Sequence, residues 1–133
     1  MNSTIETGRS GTSSRMVGQA DLATSMGSGT VDVFATPAMI ALMEQAAVNA
    51  LASALPNGQT SVGIYLEVHH LAATPLQMKV SATATVVEVE GRVITFEVSA
   101  TDGLETIGRG VHRRIVVDSA RFVDRVTAKS SRP

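Results

Sequence analysis

The chain has 133 residues, 44% hydrophobic and 17% charged, with a formal net charge of −1. That is the profile of one globular domain rather than a disordered chain, and it gives no general attraction to nucleic acid or to an anionic membrane. Aromatics make up only 3%, leaving few rings for a base-stacking platform; cysteine is absent, so disulfides, thiolate catalysis and cysteine metal sites are excluded, in keeping with a reducing, cytoplasmic setting.

Residues 1–15 are rich in Ser, Thr and Gly and lack an apolar core segment, so they read as a flexible tail without a secretory signal. The folded domain is expected over 16–126, with residues 127–133 a second tail. From Val17 to Phe34 the pattern allows a short strand and then a Gly/Ser loop. Thr36-Pro37 is a helix start, because Thr caps free N–H groups and Pro fits the first turn. The helix is expected over Pro37–Leu55, ended by Pro56-Asn57-Gly58. It is apolar nearly all round and should be buried on most sides. Its internal Glu44, Gln45 and Asn49 argue against a membrane span.

Four strand-like runs follow, near Ser61–Leu71, Met78–Glu90, Val93–Thr101 and Thr106–Asp118, with turns at Glu90-Gly91-Arg92 and Asp102-Gly103. Ile94, Phe96, Val98 and Ala100 alternate with Thr95, Glu97 and Ser99, giving one buried and one wetter face. The expected fold is α+β, a curved antiparallel sheet around one helix. A second copy of the chain is the expected cover for the rest of that apolar helix; the competing architecture is an open α+β sandwich that stays monomeric.

Glu44 is the only charged side chain between Pro37 and Leu55. A carboxylate on a buried helix must be paired, protonated or placed at a wet edge. On the following strand, simple alternation puts Val62, Ile64, Leu66, Val68 and His70 on the core face and Gly63, Tyr65, Glu67 and His69 on the other, unless a bulge intervenes. His70 then points at the helix, as an active group or as a core-edge histidine. Neighbouring histidines diverge on a strand, so His69 and His70 do not share a metal. Thr36 is either a plain cap or part of an oxyanion site at the helix N-terminus. Gly63 permits close approach of a ligand or of the helix. Arg109, His112, Arg113 and Arg114 form a basic cluster that either meets phosphates or charges an edge strand against pairing.

The stretches VFATPAMIALMEQA (Val33 to Ala46), SVGIYLEVHHLAATP (Ser61 to Pro75), VEGRVITFEVSATDGLETIGRGVHRR (Val89 to Arg114) and ARF (Ala120 to Phe122) together resemble the fluoroacetyl-CoA thioesterase group of hotdog proteins. The resemblance implies a hotdog fold, a homodimer with active sites at the subunit interface, and hydrolysis of an acyl-CoA thioester. Coenzyme A enters as part of the substrate, and no separate cofactor is expected. Carried over, the catalytic Thr, Glu and His fall on Thr36, Glu44 and His70, with Glu44 as nucleophile or as base on a water. A glycine lying against the acyl group falls on Gly63. Phe34, Arg109 and Arg113 are expected to complete the substrate contacts. The group's fluoroacetate-specific member has an aromatic-rich lid, whereas Leu22–Val33 has no aromatic, so a different or larger acyl group is expected. The rival functions are a non-catalytic acyl-CoA or small-ligand binding module and, ranked lower, a hotdog hydratase or dehydratase, for which no suitable Asp-plus-His pairing is visible.

Overall fold

The computed structural model describes residues 5–131. Strand β1 (Ser10–Met16) leads through a 3-10 turn (Gln19–Asp21) and a single turn of helix, α1 (Ala23–Met26), to the long helix α2 (Thr36–Leu51). Strands β2 (Gln59–His70), β3 (Lys79–Glu90), β4 (Val93–Thr101) and β5 (Thr106–Asp118) follow, then helix α3 (Ser119–Ser130). The five strands form one antiparallel sheet in the order β1-β3-β4-β5-β2. Its inner face holds α2: Met39, Leu42, Met43, Ala46, Ala47 and Ala50 are buried against Val80, Ala82, Ala84 and Val86 of β3 and Ile94, Phe96, Val98 and Ala100 of β4. Among the described residues no helix is long and apolar enough to cross a membrane.

The expected N-terminal tail is strand from Ser10 onward, paired with β3 from Ser10↔Thr85 to Met16↔Lys79. Residues 1–4 of that tail lie outside the described residues. The strand lacks an apolar pattern because it meets α2 through a glycine. A Cβ built on Gly11 would lie 2.5 Å from the Ala46 carbonyl oxygen and closer still to the Ala50 backbone. Helix and strand thus touch backbone to backbone, so Gly11→Val is expected to cost about 1–3 kcal/mol through overpacking, read as a lower urea midpoint at unchanged m-value. Just upstream, Arg9 donates from Nε to the Ala50 carbonyl at 2.5 Å and from Nη2 to that of Ala52 at 2.9 Å. A cation there satisfies orphan carbonyls at the negative end of the helix dipole. Helix α2 accordingly stops at Leu51, short of the expected Leu55, and Ser53 turns to φ 67°.

The expected C-terminal tail is also corrected. Asp118 accepts from the Arg121 N–H at 3.1 Å and caps α3, which runs to Ser130. Residues 132–133 lie outside the described residues.

Within the single chain α2 keeps one open flank, the part for which a second copy is the expected cover. Thr36, Ile40 and Glu44, spaced i, i+4, i+8, form a partly open stripe facing β2, and Ala41, Gln45 and Val48 beside it are exposed. β2 is an end strand of the sheet, and none of the described residues closes that flank.

A buried carboxylate anchors the β4–β5 turn. Asp102 is 7% exposed and accepts from the Leu104 and Glu105 N–H groups (3.0 and 3.1 Å) and from the Thr74 hydroxyl (3.0 Å). Burial by itself would push this carboxyl up, but the donors outweigh it and hold its pKa below the ordinary value. A depressed pKa means stability that is fully present above about pH 4 and lost as pH falls through the lower native value. In urea melts across pH, the stability gap between wild type and Asp102→Asn is therefore expected to be constant near neutrality and to shrink on acidification.

Candidate active site

Thr36 and His70 come together. Thr36 opens α2 after Ala35, which is the N-cap residue and makes no side-chain cap. The Thr36 hydroxyl does not turn back on the helix; it lies 2.7 Å from His70 Nδ1. The capping reading of Thr36 is thereby corrected, and the first-turn N–H groups are left without a side-chain partner. His70 ends β2 with its ring toward α2. Burial lowers its pKa, with the backbone at Ala72 pulling the other way, so the imidazole is neutral at pH 7, the form a base requires. The pair sits on the wall of a cavity of about 430 Å³ lined also by Ala23, Gly29, Val31, Phe34 and Ala72. Phe34 is fully buried, packing into the core while forming part of that wall.

Glu44 does not join them within one chain. It lies eight residues, or about 12 Å of helix, beyond Thr36, and its carboxylate faces the other half of β2. Oε2 is 3.5 Å from Arg114 Nη1 and 3.9 Å from His112 Nε2. Arg114 is almost buried. It donates from Nε to Ser61 Oγ (2.8 Å), from Nη2 to the Ser61 carbonyl (3.1 Å), and from Nη1 toward Glu44. Burial lowers its pKa and Glu44 opposes that fall, so the guanidinium stays charged. His112, 1% exposed, has Nδ1 2.9 Å from the Tyr65 carbonyl and Nε2 3.1 Å from Arg114 Nη1. Burial is the main force lowering its pKa, the Tyr65 carbonyl opposes it, Arg114 adds to it and Glu44 opposes it. The neutral ring donates from Nδ1 and accepts from Arg114 at Nε2, so its approach to Glu44 is no ion pair.

Gly63 makes room for this cluster. A Cβ there would lie 2.9 Å from Glu44 Oε2 and 3.2 Å from His112 Cε1. Its side of the strand therefore faces α2, contrary to simple alternation. The register with β5 slips between Gly63↔Arg114 and Tyr65↔Arg113, leaving Ile64 as the extra residue. This bulge reverses parity: Ile64 is 52% exposed instead of buried, while Leu66, Val68 and His70 keep the inward face.

The basic cluster splits in two. β5 lies between β4 and β2, so the edge-strand reading fails, and alternation sends His112 and Arg114 inward and Arg109 and Arg113 outward. Arg113 stacks its guanidinium 4.5 Å from the Tyr65 ring centroid. Arg109 lines an outer-face depression with Glu67, His69 and Glu97. Neither lies beside Thr36 and His70. His112 and Arg114, read from sequence only as members of a charged run, are the residues that touch Glu44. The available signal was their alternate spacing on one face with Val116, which is buried.

The arrangement offers a neutral imidazole on a hydroxyl, a carboxylate held by a buried cation, and an uncapped helix start beside an uncharged cavity. Residues 17–120 match the family model described as fluoroacetyl-CoA-specific thioesterase. A fluoroacetyl-CoA thioesterase of Streptantibioticus cattleyicolor is 43% identical over 99 residues, covering 74% of this chain and 71% of that protein. A solved fluoroacetyl-CoA thioesterase superposes with a TM-score of 0.88 at 35% identity, over 94% of this chain and 97% of the other. A hot-dog-like protein from Thermanaerovibrio acidaminovorans gives a TM-score of 0.85 at 30% identity, over 94% and 93% of the two chains.

Proposed function

Because the chain belongs to the family of fluoroacetyl-CoA-specific thioesterases, we propose that it hydrolyses an acyl-CoA thioester to the free acid and CoA at a site shared by two copies of the chain. The observation that carries this reading is the Thr36–His70 contact at 2.7 Å on the cavity wall, with Glu44 on the same open stripe of α2. Glu44 either attacks the thioester carbonyl carbon or removes a proton from the water that does. The negative charge then developing on the carbonyl oxygen is met by N–H groups at the α2 start, where donors and dipole favour it. The C–S bond breaks and the thiolate leaves with the proton taken from the attacking water, relayed through His70, which Thr36 holds in place; where Glu44 is itself the nucleophile, a water then opens the acyl–glutamyl anhydride, releasing the acid and the Glu44 carboxylate and supplying that proton.

One thioester carbonyl cannot touch groups separated by about two helical turns. In the proposed two-fold dimer, Glu44 of one copy faces Thr36 and His70 of the other. Support for the dimer comes from the unpaired edge of the 12-residue strand β2, which invites pairing with another strand. Exposed Ile64, Tyr65 and Val48 near that edge add to it.

The acyl group follows from the cavity, whose lining carries no charged side chain and combines Phe34 and Leu71 with small residues such as Ala23, Gly29 and Ala72. The loop above it is closed by Thr24 Oγ1 donating to Asp32 Oδ1 at 2.5 Å and contributes no aromatic ring. An uncharged acyl group larger than fluoroacetyl fits that lining. The test is release of free thiol from a panel of acyl-CoAs of rising chain length, with light scattering on the same sample. Turnover by a dimer supports the reading. Saturable acyl-CoA binding with no thiol released favours the binding module, and a stable monomer rejects the shared site.

A further inference from the structure

Thr74, within the Ala-Ala-Thr-Pro run after His70, is fully buried although it touches neither cavity nor carboxylate cluster. Its carbonyl accepts from the Phe34 N–H at 2.8 Å. Thr74 lies four residues after His70, and Phe34 two residues before Thr36. The chain therefore closes on itself: His70 runs through the backbone to Thr74, crosses by hydrogen bond to Phe34, continues to Thr36 and returns through the hydroxyl–imidazole contact to His70. Two more bonds hold the His70 side of this ring, from the Leu71 and Ala72 N–H groups to the Ile107 carbonyl at 2.7 and 3.4 Å. The remaining anchor is the buried Asp102, which accepts from Thr74 Oγ1 at 3.0 Å and is itself fixed by the Leu104 and Glu105 N–H groups.

We propose that Asp102, acting through the Thr74 hydroxyl, is the positioning residue that sets the Thr36–His70 contact. A buried carboxylate with its lone pairs committed to backbone donors is a rigid post, since moving it would leave charge unpaired in the interior. Thr74 spans from that post to the segment that delivers Thr36. Without its hydroxyl, the loop after His70 and the start of α2 can drift apart while the sheet stays intact. Small errors of placement weigh heavily on rate when two groups must meet one carbonyl. Neither residue lines the cavity, so their effect belongs in kcat and not in KM.

This inference rests on Thr36 and His70 being the working pair, so the experiment reads both turnover and the imidazole itself. Thr74→Val, Thr74→Ser and Asp102→Asn are compared with wild type in acyl-CoA hydrolysis and by NMR titration of His70, assigned with a His70→Asn control. Thr74→Val and Asp102→Asn are expected to lower kcat by about tenfold or more with KM nearly unchanged, and Thr74→Ser to restore it. The His70 pKa should rise toward its ordinary value in the two impaired variants, because a loosened ring regains water. Lower stability with wild-type kcat and an unmoved His70 titration would overturn the proposal, leaving a purely structural bond. If Thr74→Val does not fold, Asp102→Asn with Thr74→Ser decides alone. If wild type cleaves no acyl-CoA, the thioesterase reading fails, while the His70 titration still judges the tether.

Discussion

Glu44→Gln is expected to reduce acyl-CoA hydrolysis by about 10²–10⁴-fold while leaving fold and dimer unchanged. A loss of 10³ corresponds to about 4 kcal/mol of barrier. The amide keeps the size of the carboxylate but neither attacks a carbonyl nor takes a proton from water. The variant should fold because the Glu44 side chain is 43% exposed and Arg114 retains its bonds to Ser61 and its contact with His112. An uncompensated cation is therefore less of a burden than in a sealed core. Glu67→Gln, on the outer face of the sheet, is the matched control and should keep wild-type turnover. Thiol release measured for both variants at saturating substrate checks the expectation. Wild-type rates in Glu44→Gln would remove Glu44 from the mechanism.

What could be read from the sequence follows from how each element announces itself. β4 was legible residue by residue because Ile94, Phe96, Val98 and Ala100 all face one core, and period-2 burial is what alternation reports. The start of α2 was legible from Thr36-Pro37. β1 was not, because its contact with α2 runs through Gly11, and a strand that packs by lacking side chains leaves no apolar pattern. The Ile64 bulge was equally silent, since an extra residue in a β-branched run looks like more strand. It moved Gly63 to the inner face, and it did not affect His70, whose parity counts from Leu66. The catalytic candidates were found by type and spacing, but their distribution along α2 was not. Sequence sets Thr36 and Glu44 eight residues apart and gives no sense that β2 delivers His70 to one end of α2 and Gly63 to the other. Nor does a basic run say which of its members turn inward, and Arg109 and Arg113 were the outward pair.

That separation along the helix makes the second large effect a matter of mixing. Glu44→Gln and His70→Ala should each be nearly inactive alone, yet equal amounts of the two, unfolded together and refolded, are expected to recover about a quarter of wild-type activity. Random pairing makes half of the dimers mixed, and each mixed dimer carries one site with both groups intact, the carboxylate from one copy and the imidazole from the other. The second site in the same dimer carries both lesions. If all three groups instead acted from one chain, no mixed dimer would contain a whole site and the mixture would stay as inactive as its parts. The in-chain geometry favours recovery: Thr36 and His70 are 2.7 Å apart, while the nearest imidazole to Glu44 in its own chain is His112 at 3.9 Å, a ring already committed to Tyr65 and Arg114. Such a ring has no free nitrogen with which to serve a substrate, and on the proposed shared site the imidazole that works with Glu44 is His70 of the second copy.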